Sequence, residues 1–452
     1  MELLIQKMNC YEFEPGLISI LKSPNCFCSE PILDSFCFRI VQGVLHRNWF
    51  WIGTEFLQRF LTHGSGLRHY QRMESKCLMK CKVIALIYEE MEDDLKCESE
   101  GSPKDDPLML WLTGGPGCSG LSALLYEIGP FTINYENSTL EKTMLEINPH
   151  SWTKVANIIF LDQPAGTGFS YAKTPEAYIT NDTLSTTYTY HFLRKWLVEH
   201  PKFLNNPMYI GADSYAGIMV PMIVEKIYNG NEVGEQPEIN IKGYVLGNPL
   251  TDRSGDFKSR IPFAHRTALL SDEIYKSTKT NCLGKYLNVD PNNTLCINDL
   301  QVVAKDDNRQ YSNIWANSRE VREALHIREE LKDIEWVPCN DTMHFHYDKE
   351  AVSYTHNMLS VVTYHRYLSN KNCRALIYSG DHDMVVPYMG TLNSIESLNL
   401  LEVNGWTPWF VDKQVAGYTV KYSKHNYTLT FATLKVRYRP QRLLLRRCSS
   451  HY

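Results

Sequence analysis

The sequence predicts an α/β fold, with a mostly parallel central sheet flanked by helices, and three observations carry that prediction. First, apolar runs of strand length alternate with helical stretches: strands are expected near 108–112, 157–161, 207–210, 242–247, 374–379 and 428–434, and helices near 118–128, 184–199 and 215–229. Such alternation buries a parallel sheet between two helical layers. Second, residues 211–217 read Gly-Ala-Asp-Ser-Tyr-Ala-Gly, after the apolar run Pro207–Ile210 and before Ile218–Pro221, the layout of a strand, a tight turn and a helix. Third, Leu108–Leu112 runs straight into Thr113-Gly-Gly-Pro-Gly-Cys-Ser-Gly120, a strand feeding a glycine loop.

Each piece has a chemical reading. A serine hydroxyl attacks a carbonyl only if it stands clear of the backbone on a sharp turn, near a base and near amide donors for the oxyanion. Ser214 has that setting, and its neighbours two residues away, Ala212 and Ala216, are small enough for the turn to close. The glycine loop lets backbone N–H groups converge on a cavity. Gly115 and Tyr215 are the candidate donors, Tyr215 because the residue after a nucleophile normally supplies one. Together with Trp152-Thr-Lys-Val-Ala-Asn-Ile-Ile-Phe-Leu-Asp-Gln-Pro-Ala-Gly-Thr-Gly-Phe-Ser-Tyr171, these motifs resemble the serine carboxypeptidase family, and within it the plant carboxypeptidase-like acyltransferases. The resemblance runs almost continuously from about 103 to 435 and implies an α/β-hydrolase fold with an inserted cap.

The apolar strand Arg374–Ser379 delivers Gly380-Asp-His-Asp-Met-Val-Val-Pro387. In this fold the acid follows the nucleophile on a loop after a late strand. The family's acid occupies the second position of its Gly-Asp-x-Asp motif, which implies Asp383 as the acid and Asp381 as a brace for the loop. His382 lies between them and is expected to be structural, its side chain pointing away from both. The family's histidine sits beyond the next strand, in a Gly-x-Gly-His-Thr loop. Here Tyr427–Lys435 supplies the strand, but Val436 opens a basic tail, and downstream of the acid only His425 and His451 remain. His425 precedes the strand and His451 is the penultimate residue, so neither fits as the base. The expectation is a chain without its triad histidine, inactive or carrying a tail from a frame change or retained intron.

The peptidases of this family hold a free C-terminal carboxylate with an asparagine ahead of two glycines and a glutamate before the serine. This chain has Thr113 ahead of Gly114, and Asp213 before Ser214; Glu127 matches a second glutamate of that network. A shorter carboxylate and a missing amide change the pattern that selects a peptide terminus. The resemblance therefore implies transfer of an acyl group from a glucose ester to an alcohol. Serine carboxypeptidase activity on a peptide C-terminus is the alternative, and a non-catalytic ligand-binding or regulatory homologue is the third reading.

Composition narrows the partners. A formal charge of −5 over 452 residues leaves no nucleic-acid footprint, and no run of about 18 apolar residues predicts a membrane span. No cofactor is implied. The thirteen cysteines show no repeated metal-ligand spacing, so no metal is expected. Cys282 and Cys296 flank a short polar loop and look like a local disulfide; Cys339 needs a distant partner, in the family an N-terminal one, and Cys118 reads as a small packing residue. Five N-x-S/T sequons begin at Asn137, Asn181, Asn292, Asn340 and Asn426. The family resemblance implies a secreted or vacuolar protein, although Met1–Met8 has no signal-peptide pattern. The expected organisation is an atypical segment over 1–102, containing a strand near Leu86–Met91, then core over 103–254, cap over 255–350, core again over 351–435 and the basic tail over 436–452. The cap looks short for the family, with sequence missing between Leu300 and Tyr311.

Overall fold

The computed structural model describes residues 84–85 and 96–435, except 136, 139–142, 288, 302–315, 325–326, 328–335, 338, 340–353 and 412. Its strands form where apolar, β-favouring runs can be buried on both faces. Every residue of β3 (Leu108–Leu112) is buried, as is every residue of β6 (Asn157–Asp162), the signature of central parallel strands covered by helices. Two short strands precede them, β1 (Ile84–Ala85) and β2 (Lys96–Cys97), both paired with β6. A small hairpin, β4 (Phe131–Ile133) with β5 (Leu145–Ile147), and the pair β7 (Thr180–Asn181) with β10 (Tyr354–Thr355) stand apart. The remaining strands are β8 (Met208–Asp213), β9 (Ile241–Gly247), β11 (Arg374–Gly380), β12 (Leu401–Val411), β13 (Gln414–Lys424) and β14 (Tyr427–Leu434).

The main sheet has ten strands in the order β1-β6-β3-β8-β9-β11-β14-β13-β12, with β2 also on β6. From β1 to β14 neighbours are parallel; β13 and β12 turn back antiparallel at the edge. This is the predicted α/β-hydrolase arrangement. All six predicted strands are present. The β12–β13 hairpin was not expected, because most of β12 is exposed and carries Asn404, Gly405 and Pro408, residues that break a strand pattern.

The helices are α1 (Gly120–Tyr126), α2 (Asp182–Glu199), α3 (Met219–Glu232), α4 (Arg253–Arg266), α5 (Asp272–Cys282), α6 (Thr294–Gln301), α7 (Arg319–Ala324), α8 (Val362–Leu368) and α9 (Tyr388–Glu396). Local chemistry starts several of them. The Asn181 side chain accepts from Leu184 N–H, so this sequon residue is the N-cap of α2, and Ser271 caps α5 in the same way. Helices α4 to α7 lie in the segment expected to form the cap, where a disulfide joins Cys282 to Cys296 as the sequence suggested. The proposed join between Leu300 and Tyr311 lies almost wholly outside the described residues, as do Asn340, the Leu86–Met91 strand and the basic tail.

Burial sets one pH response. Asp256 on α4 has one carboxyl oxygen bonded to the Thr251 and Asp252 N–H groups, while Oδ1 is buried without a partner among the described residues. Desolvation raises its pKa from 3.8 to about 7. The folded chain therefore holds this proton when the unfolded chain has released it. Stability from the group is full below the unfolded value and is lost as pH rises through about 7, a cost of about 4 kcal/mol. Asp256→Asn removes the charge. Its Tm relative to the parent should rise by about 5 °C between pH 5 and pH 8, read by circular dichroism; an unchanged difference would show that Asp256 is ionised in the folded state at both pH values.

Candidate active site

The parallel strands end in register, and that register assembles the site. Leu112 pairs with Ala212, Ala212 with Leu246, Tyr378 with Gly247, and Gly380 with Leu434. The loops that follow therefore emerge at one edge, the carboxyl ends of the strands, where open α/β sheets bind ligands. Ser214 leaves β8 with φ at 54°, a left-handed conformation that lifts it out of the strand before a single 3₁₀ turn, Ser214–Gly217, leads into α3. Ala212 and Ala216 are both buried, as the tight turn requires. The Leu250 N–H donates to the Ser214 carbonyl and ties the loop after β9 to the elbow.

The glycine loop lies directly on this turn. A Cβ on Gly114 would stand 2.7 Å from Ser214 Cβ and 2.8 Å from Tyr215 N, so only glycine fits. Gly115 has φ at +109°, and no described residue accepts its N–H. The two candidate oxyanion donors, Gly115 and Tyr215, thus come from segments in contact beside Ser214. Asp162, at the end of β6, organises the loop from below. Its Oδ1 accepts from the Ser119 hydroxyl at 2.6 Å and the Gly120 N–H at 2.7 Å, and its Oδ2 accepts from the Phe169 N–H at 2.9 Å. Burial raises its pKa to about 6, against the pull of those hydrogen bonds. The Trp336 indole N–H also donates to Ser119 Oγ. Cys118, expected to be a packing residue, instead forms a disulfide with Cys339, 221 residues away. No local spacing marks that pair, since its partners meet only through the fold. Cys97 is disulfide-bonded as well.

The acid loop follows β11. Asp383 Oδ1 accepts from the Val385 N–H at 2.7 Å and the Val386 N–H at 3.1 Å. Desolvation raises its pKa to about 6, opposed by those two amides and by Arg260. Arg260, on α4, donates to the Val385 carbonyl, and Asn248 accepts from the Gly380 N–H, so the loop is held from the cap side and from the loop after β9. His382 departs from expectation. Its Nδ1 lies 2.6 Å from Asp381 Oδ1, so the imidazole turns toward its neighbour, and that carboxylate raises its pKa. A short side chain one residue away was close enough to capture it.

The histidine position is read from β14. Leu434 sits opposite Gly380, and its carbonyl accepts from the Asp381 N–H, so the described chain ends, at Lys435, beside the loop that follows β11. His425 occupies the turn before Tyr427, at the opposite end of this eight-residue strand, roughly 25 Å from that edge. His451 lies outside the described residues.

The residues expected to bind substrate gather on the β3 side. Asp213 Oδ1 accepts from the Gly114 N–H at 3.3 Å, and Glu127 Oε2 accepts from the Trp111 indole N–H at 3.2 Å. Asp213 and Glu127 both act on half-buried Tyr378 and help to raise its pKa well above the ordinary value, behind the larger effect of desolvation. The Thr113 hydroxyl is buried and has no hydrogen-bond partner among the described residues. Tyr378, Asp162, Asn248 and Arg260 were not singled out in the sequence. Asp162 carried the one usable signal, a carboxylate at the last position of a parallel strand.

The family model for serine carboxypeptidases matches residues 95–314 and 304–436. The chain belongs to the serine carboxypeptidase family. Two Arabidopsis thaliana relatives bear this out: serine carboxypeptidase-like 17 is 43% identical over 360 residues, covering 75% of this chain and 79% of the relative. Serine carboxypeptidase-like 2 is 44% identical over 363 residues, with the same coverage of each. Among solved structures, a prohormone-processing carboxypeptidase from Saccharomyces cerevisiae superposes with a TM-score of 0.60 at 19% identity, covering 82% of this chain and 85% of the other. That likeness shows the shared fold. Among the described residues no group of three or more His, Cys, Asp or Glu side chains could hold a metal ion, and no helix is long and apolar enough to cross a membrane.

Proposed function

We propose that this serine carboxypeptidase-like chain carries the binding and oxyanion machinery of an acyltransferase that uses glucose esters, without the imidazole that drives turnover. Ser214 is the nucleophile, Gly115 and Tyr215 are the oxyanion donors, and Asp383 is the acid. The observation that supports the reading is the pairing of Gly380 with Leu434, after which the sequence continues as Lys435 and Val436 in place of a Gly-x-Gly-His loop. In a complete site Ser214 takes the acyl group, the imidazole protonates the departing sugar, and an acceptor alcohol then attacks the acyl-enzyme. Transfer outruns hydrolysis when the pocket seats the alcohol and limits water.

The choice of transfer over peptidase chemistry rests on Thr113 and Asp213. With Asp213 engaged by the Gly114 N–H and a threonine hydroxyl in place of an amide at 113, this corner has the shorter and less polar groups that disfavour a peptide carboxylate. In a catalytically complete relative with the same motif, the double change Thr113→Asn and Asp213→Glu should raise blocked-dipeptide hydrolysis over acyl transfer by about tenfold; an unchanged ratio would remove these residues from the specificity argument. For the chain itself, hydroxycinnamoyl glucose should raise the Tm while producing no measurable acyl transfer above a Ser214→Ala control. Rapid transfer would overturn the reading of a missing base, and absence of any thermal shift would overturn the binding claim. A secreted or vacuolar location and the domain limits given above remain part of the same proposal.

A further inference from the structure

Tyr215 is tied down by its side chain as well as by its backbone. Its hydroxyl donates to Asp182 Oδ1 at 2.5 Å and lies 2.6 Å from His356 Nδ1. A phenol has one proton, and the carboxylate takes it; the phenol oxygen then accepts from His356, which must carry its proton on Nδ1. Asp182 is fully buried and accepts further hydrogen bonds from the Tyr354 hydroxyl at 2.8 Å and the Met358 N–H at 2.8 Å. The His356 and Tyr215 rings meet edge to face with centroids 5.1 Å apart. Burial and, after it, Arg253 lower the His356 pKa to about 4, against the pull of Asp182, so the imidazole is neutral near pH 7.

These groups come from three distant places: Asp182 from the first turn of α2, Tyr215 from the elbow, and Tyr354, His356 and Met358 from the chain that returns after the cap. The β7–β10 pairing fixes the first against the third, with Tyr354 opposite Thr180 and Thr355 opposite Asn181. Their contacts converge on the ring of the residue whose amide adjoins Ser214.

We infer that Asp182 and His356 are positioning residues, which act through the Tyr215 phenol to aim the Tyr215 N–H at the oxyanion. The inference rests on the proposed role of Tyr215 as an oxyanion donor. When a triad member is missing, the rate that remains, about 10³–10⁴-fold over water, comes from the oxyanion hole and binding alone. Reaction at Ser214 here therefore reports directly on how well the amides are aimed.

The test is the second-order rate at which an aryl fluorophosphonate modifies Ser214 in the full chain, read by intact mass and peptide mapping. Tyr215→Phe and His356→Leu should each slow the modification at least tenfold at a temperature where circular dichroism matches the parent. His356→Gln should return to within threefold of the parent, because its amide N–H can still donate to the phenol oxygen. If Tyr215→Phe does not fold, the comparison of His356→Leu with His356→Gln decides alone. Parent-like rates in Tyr215→Phe or His356→Leu overturn the inference, as does a His356→Gln rate equal to that of His356→Leu. So does a parent modified no faster than in urea, since there is then no oxyanion hole to aim. A parent modified as fast as an intact serine hydrolase, with an inflection near pH 6.5, overturns the missing-base reading instead; the ratios among the variants still decide the inference.

Discussion

Replacing the residues after Lys435 by a Gly-x-Gly-His-Thr loop should raise acyl transfer from hydroxycinnamoyl glucose by at least about 10³-fold, the usual cost of a lost triad member run in reverse. The physical ground is the end of β14. Its last residue, Leu434, is hydrogen-bonded in register with Gly380, and the Asp381 N–H holds the Leu434 carbonyl, so a loop grown from Lys435 starts beside the acid. Asp383, half-buried and anchored by two backbone amides, is the carboxylate that the proposal assigns to an imidazole arriving there. Steady-state rates of the grafted and parent chains decide it. A graft that folds, as judged by circular dichroism and Tm, yet remains as slow as the parent would mean that the acid or the oxyanion loop is misplaced.

The second large effect concerns the glycine loop. Gly115→Val should reduce fluorophosphonate modification of Ser214 by at least about 100-fold, comparable with removing an oxyanion donor. A β-branched residue resists the left-handed φ of +109°. Its Cβ would also fall 2.8 Å from both Gly117 N and Cys118 N, and 3.1 Å from Cys118 Sγ. Those atoms cannot give way, because Cys118 is bound to Cys339 and the adjoining Ser119 and Gly120 are held by Asp162. The loop must turn its amide aside. Parent-like modification in a folded Gly115→Val protein would place the donors elsewhere.

Much of this was legible in the sequence, for a physical reason. Central strands such as Leu108–Leu112 and Asn157–Asp162 are buried on both faces, so their apolar runs are unbroken, and the loops they feed must contain the small or strained residues that chemistry needs. Ser214 and Gly115 are conspicuous in that way. What escaped was carried by the edge of the sheet and by long-range pairing. The exposed strand Leu401–Val411 has no need of an apolar alternation, and it shows none. Asp182 and His356 lie 33 and 141 residues from Tyr215, and Cys118 lies 221 from Cys339, so no local spacing marks them as partners. His382 failed for the opposite reason: an adjacent carboxylate captured a side chain that turn geometry alone would have sent outward.

A crystal structure of the protein phosphonylated at Ser214 would display the oxyanion donors and any base together. The account predicts a phosphoryl oxygen about 2.7–3.1 Å from both the Gly115 and Tyr215 nitrogens, with Asp383 on its loop and no imidazole within hydrogen-bonding distance of Ser214 Oγ. An imidazole lying between Ser214 and Asp383, or an adduct whose oxygen meets neither amide, would contradict it.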